Sequence, residues 1–135
     1  MWSIMRRKQN KKGEEGFTLI ELIVVIAILG FLLAIAIPRY TTSRAKAAAS
    51  ASAANLKNLA NAVELYATEH NLTNYPSGSL ATIVADYIPN VPTPPGGGSY
   101  SYSASGSTYT ITDSNTYGTI SNIYVTEGGI IHGLP

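Results

Sequence analysis

Apolar and polar positions divide the chain into zones with different periods. Residues 17–37, FTLIELIVVIAILGFLLAIAI, are apolar with no polar face and carry one charge, Glu21. At about 1.5 Å per residue a helix of that length covers roughly 30 Å, the thickness of a bilayer core. From residue 38 to 71 the composition turns alanine-rich. A stripe of 3- and 4-residue steps emerges at Leu56, Leu59, Ala60, Val63, Tyr66, Ala67 and His70. Asn55, Lys57, Asn58, Asn61, Glu64 and Thr68 fall outside that stripe, which predicts a helix with one packed face and one wet face. Asn71 and the Thr-Asn-Tyr-Pro that follows Leu72 predict its end.

Beyond Leu72 the period changes again. Residues 79–88, SLATIVADYI, predict a short helix or a turn of helix closed by Pro89, and the prolines and glycines from Pro92 to Gly98 predict a loop. Period-2 alternation follows at Tyr100 and Tyr102, Tyr109 and Ile111, and Ile123 and Val125. The separators are Ala104-Ser105-Gly106 and Asn115–Gly118, so the pattern predicts an antiparallel meander of three strands, with Gly129–Gly133 as a candidate fourth. A small sheet with one apolar face needs a partner, and the stripe through Leu56, Leu59, Val63 and Tyr66 supplies it. The predicted fold class is α+β: a long N-terminal helix with an apolar first half, its second half laid on a small antiparallel sheet. The expected divisions are a basic leader over 1–16, a membrane or filament-core helix over 17–38, an amphipathic helix over 39–71 and a head over 72–135.

Charge sharpens this division. Of the 9 Lys and Arg residues, Arg6, Arg7, Lys8, Lys11 and Lys12 precede the apolar run, and none follows Lys57. A basic flank on that side predicts an N-terminus in the cytoplasm. Without residues 1–16 the chain keeps four basic and six acidic side chains, a formal charge of −2. That balance excludes strong nucleic-acid binding, which requires clustered cations. There is no cysteine, so disulfides and thiolate chemistry are excluded.

The run Gly16-Phe-Thr-Leu-Ile-Glu-Leu, continued to Ala34-Ile-Ala-Ile-Pro38, closely resembles the N-terminal signature of type IV prepilins and type II secretion pseudopilins. The resemblance implies cleavage after Gly16 by a membrane-embedded prepilin peptidase and N-methylation of the new terminus at Phe17. It implies that Glu21 directs assembly and that the helix bends near Gly30 and Pro38. It further implies identical subunits, a prepilin peptidase, an inner-membrane assembly platform and the bilayer as partners. The location implied is the inner membrane first, then an extracellular pilus or a periplasmic pseudopilus. The leader is longer and more acidic at its end than is usual for such chains, and Met5 offers a second start.

Physical argument supports the same residues. A carboxylate inside hydrocarbon is costly and marks function. Cleavage before Phe17 would create an amine four residues from Glu21, so the two are expected on one helix face, paired within one subunit or between neighbours. Pro38 cannot donate to the carbonyl of Ala34, and Gly30 is a second weak point.

Plainer readings remain. An ordinary membrane anchor leaves Glu21 and the Gly16–Phe17 junction unexplained. A secretory signal cleaved after Ala34-Ile35-Ala36 would place Pro38 at the second mature position. A non-polymerising binding module is a third alternative. No paired carboxylates, nucleophile constellation or metal-ligand spacing is present, so the sequence predicts no catalytic residues, no metal and no cofactor.

Overall fold

The computed structural model describes residues 16–135, so all but the last residue of the expected leader over 1–16 lies outside the described residues. The chain divides into two compact units, Met1–Ile37 and Pro38–Pro135.

Helix α1 is continuous from Leu19 to Glu69 and includes both Gly30 and Pro38. Its apolar segment has every residue exposed, from Gly16 through Ile37. The helix is long and apolar enough to cross a membrane. Just past Pro38, the hydroxyls of Thr41 and Thr42 both donate to the Pro38 carbonyl, at 2.9 and 3.0 Å.

The second unit begins with the remainder of α1, followed by a one-turn helix α2 (Leu80–Ile83) and strands β1 (Ser101–Ser105), β2 (Thr108–Tyr117), β3 (Ile120–Thr126) and β4 (Ile130–His132). The strands form an antiparallel meander in the order β1-β2-β3-β4. The fold is therefore the α+β arrangement expected from the sequence, and the sheet has four strands. The β1–β2 and β2–β3 hairpins turn through two residues, Gly106-Ser107 and Gly118-Thr119, each with glycine first at positive φ (60° and 65°). Glycine at that position matches the right-handed twist of the flanking strands.

One sequence expectation needs correction here. The expected separator Asn115–Gly118 is largely strand: β2 continues to Tyr117 through an irregularity between Asp113 and Thr116. The added residue lets the strand absorb a polar stretch without ending. Within 79–88 the expected short helix or turn of helix is the single turn Leu80–Ile83, followed by a turn over 85–87.

Leu56, Leu59 and Val63 are fully buried, and Tyr66 packs partly buried against the same cluster. Upstream, Ala49, Ser52 and Ala53 are also buried; their small side chains let the sheet come close. From the sheet side Tyr109, Ile111, Ile123 and Val125 face them, and Val84 closes one end. At about 25 cal/mol per Å² of apolar surface, burying each large side chain contributes roughly 1.5–3 kcal/mol. His70, at the end of the predicted stripe, is instead exposed and stacked on Tyr66, with ring centroids 4.1 Å apart.

Candidate functional site

The start of α1 is built by a reciprocal pair. The Glu21 carboxylate accepts from the Thr18 backbone N–H (2.8 Å) and from its hydroxyl (2.7 Å), while the Glu21 N–H donates to the Thr18 hydroxyl oxygen (3.3 Å). This is a capping box: the first helical residues have unpaired N–H groups, and a Thr followed three residues later by Glu satisfies two of them. Both bonds to the carboxylate use Oε2, and Oε1 has no hydrogen bond among the described residues. Thr18 was not singled out from the sequence, although Thr-x-x-Glu ahead of an apolar run is a recognisable signal.

The cap corrects the expectation that Phe17 and Glu21 share one helix face. Phe17 lies two residues before the helix, 93% exposed, so helical spacing does not reach it. The two still border one shallow apolar depression with Ile20, Val24 and Val25. A side chain added at Gly16 or Gly30 would meet nothing within 4 Å. Packing within the chain therefore does not require glycine at either position. Pro38 lies within continuous helix.

The head holds two polar clusters that the sequence reading missed. Asp113, fully buried, accepts from the hydroxyls of Ser52 (2.5 Å) and Tyr117 (2.8 Å) and from both the backbone and side-chain nitrogens of Asn115 (3.0 and 2.7 Å). Burial pushes its carboxyl up, but these donors outweigh burial and hold it below the usual carboxylate range. Tyr117 and Asn115 then tie down the glycine loop: the Tyr117 hydroxyl accepts from the Gly96 N–H (3.1 Å), and the Asn115 amide donates to the Gly97 carbonyl (3.0 Å).

Glu64, expected on the wet face, is half-buried. It accepts from the hydroxyls of Tyr75 (2.9 Å) and Tyr109 (3.1 Å) and from the Gly128 N–H (3.0 Å). These tyrosines come from different elements, so no local spacing revealed the cluster. Both clusters are saturated by the protein itself, which makes them joints of the head.

The prokaryotic N-terminal methylation motif matches residues 11–37, covering Gly16, Phe17 and Glu21. Several relatives align with the chain, three of which represent the range. It is 42% identical over 65 residues to the type IV major pilin protein PilA of Myxococcus xanthus, spanning 48% of this chain and 30% of that protein. It is 34% identical over 68 residues to the type II secretion system core protein G of Aeromonas hydrophila, spanning 50% and 46%. It is 39% identical over 72 residues to a fimbrial protein of Neisseria meningitidis, spanning 53% and 41%. The alignments thus cover less than two thirds of these relatives' own length. No solved structure matches. The methylation motif, these relatives and a long apolar helix leading into an α+β head make the chain similar to type IV pilins and type II secretion pseudopilins.

Proposed function

We propose that the chain is a structural subunit of a type IV pilus, made as a precursor, cleaved after Gly16, methylated at Phe17 and polymerised through its apolar helix. One observation carries the reading: Glu21 is the only charged residue in an apolar segment whose every side chain is exposed. A soluble protein does not leave such a surface uncovered. Lipid covers it before assembly, and the helices of identical subunits cover it afterwards.

Glu21 then has a defined task. Thr18 holds Oε2 and orients the carboxylate, which leaves Oε1 for the amine at Phe17 of a neighbouring subunit. Pairing the two neutralises both in a dry core, where either charge alone would be costly. Pro38 and Gly30 are the positions where the helix can open or bend as subunits pack. Cleavage and methylation require a prepilin peptidase, and insertion into the growing polymer requires an inner-membrane platform.

The similarity to a type II secretion core protein G favours a second reading, in which the same chemistry builds a periplasmic pseudopilus. The test is expression of Glu21→Ala beside the unaltered chain in the native host, with intact mass of the membrane form and recovery of sheared filaments. The expected result is a membrane-inserted chain beginning at N-methylated Phe17 in both cases, with filaments only from the unaltered one. Filaments from Glu21→Ala, or a mature chain beginning elsewhere, would overturn the proposal. Filaments confined to the periplasm, with secretion lost on deletion, would select the pseudopilus.

A further inference from the structure

Of the nine asparagines in the chain, only Asn71 is followed two positions later by a hydroxyl residue, Thr73. Asn-x-Ser/Thr, with x other than proline, is the acceptor pattern for N-linked glycans, and Leu72 satisfies its middle position. So short a pattern arises often by chance, and its weight comes from where the fold puts it. Asn74 and Asn90 are exposed as well, but two residues further on they meet Pro76 and Pro92. Asn55, Asn58 and Asn61 lie within α1, and Asn115 and Asn122 within strands.

Helix α1 ends in a Schellman turn just at the pattern. The Leu72 N–H donates to the Ala67 carbonyl (2.9 Å) and the Asn71 N–H to the Thr68 carbonyl (3.1 Å). Such a turn requires one left-handed residue, and Asn71 has φ +50°. Asparagine tolerates that conformation, so the cap alone accounts for an asparagine at 71. It does not account for the hydroxyl at Thr73.

Asn71, Leu72, Thr73 and Asn74 are all exposed. The span is fastened before and after: Leu72 bonds back to α1, and the Tyr75 N–H donates to the Gly106 carbonyl (2.9 Å). Between them Thr73 and Asn74 make no backbone–backbone hydrogen bond among the described residues. The acceptor amide and its hydroxyl therefore stand on a surface loop that an enzyme can seat without opening the core.

We propose that Asn71 is a site of N-linked glycosylation, with a polyprenyl-diphosphate-linked oligosaccharide as donor. The site rests on the subunit reading above, which carries the head across the membrane that also holds such a donor. The Asn71 Nδ2 attacks the anomeric carbon, and the new C–N bond forms as the C–O bond to the diphosphate breaks. The diphosphate leaves with the bonding electron pair, and the amide nitrogen gives one proton to a base of the transferase. Nothing is oxidised or reduced. Thr73 marks this amide for the enzyme, and the attached glycan covers Leu72, which is 41% exposed.

The test is the intact mass of the full chain recovered from its native host, with fragmentation that locates the modified residue. The expected result is an added mass made of sugar units, carried on Asn71. Asn71→Gly removes the amide yet keeps the left-handed cap, because glycine is the favoured residue there. That variant is expected to fold, by circular dichroism, and to lose the added mass completely. Thr73→Ala is expected to lose it too, and Thr73→Ser to retain it.

An unaltered chain without sugar mass overturns the inference. So does sugar that persists in Asn71→Gly, which would be O-linked to the head, or full modification of Thr73→Ala. If the head is not exported and no filament forms, the subunit reading falls and this site with it. Filaments built from an unmodified chain remove only the site.

Discussion

Asp113 of β2 accepts a hydrogen bond from the hydroxyl of Ser52 of α1, and neither residue has any exposure to solvent. This bond crosses the main packing layer of the head. Asp113→Asn would replace one acceptor oxygen with a donor, which must then face the Ser52 and Tyr117 hydroxyls or the Asn115 nitrogens. The expected loss is about 1–3 kcal/mol, measured by denaturant unfolding of the detergent-solubilised full chain. The folded state holds this carboxyl below its ordinary range, so its contribution is present above the unfolded value of about 3.9 and is lost as pH falls through the lower folded value. The gap between the two proteins should therefore narrow below about pH 4. A gap unchanged down to strongly acidic pH would show that the charge of Asp113 is not what the donors hold.

Tyrosines give the head an opposite sensitivity at high pH. Burial first, then the bond to Glu64, pushes the Tyr75 hydroxyl up to about 12. Burial alone does the same to Tyr102, and burial with the Glu64 charge raises Tyr109 further. Unfolded tyrosine ionises near 10, so the folded state retains protons that the unfolded state releases. Stability from these groups is complete below about pH 10 and is lost as pH rises through 10 to 12. Unfolding followed by circular dichroism, alongside tyrosinate absorbance, should show the head weakening across that window. Tyr75→Phe with Tyr109→Phe should flatten the loss. An equally steep loss in that variant would move the cause elsewhere.

The period of the hydrophobic pattern made the scaffold legible. Steps of 3 and 4 exposed Leu56, Leu59 and Val63 as the buried face of α1, and alternation exposed Tyr109, Ile111, Ile123 and Val125 as the inner face of the sheet. Glu21 stands out in the sequence as one carboxylate in an apolar run, and the structure leaves that run exposed. What stayed hidden is contact between residues far apart in sequence. Asp113 is separated from Ser52 by 61 positions, and Glu64 from Gly128 by 64, so neither partner lies in any local window. Periodicity alone placed Glu64 in water, where three donors converge on it instead. Asn115 reads as a turn residue by type, yet the irregularity in β2 turns its amide onto Asp113 and the strand continues.

Two glycines test how the short last strand is held. Gly133 has φ +86°, and a Cβ there would lie 2.5 Å from the Asn122 carbonyl oxygen and 3.1 Å from Ile123 Cα. Gly128 has φ +73°, but a Cβ there would meet nothing within 4 Å. Alanine at Gly128 therefore incurs only the strain of a left-handed backbone, about 1–2 kcal/mol. At Gly133 the same strain is joined by a collision with backbone, which cannot rotate away as a side chain would. Gly133 follows His132, which pairs with Tyr124, so relief must come from opening the β3–β4 ladder. Gly133→Ala is expected to cost about 2–4 kcal/mol and to raise hydrogen exchange at Ile130–His132, while Gly128→Ala leaves that exchange unchanged. Equal costs with equal protection would mean that the tail beyond His132 yields freely, and that close approach to Asn122 contributes nothing to holding β4.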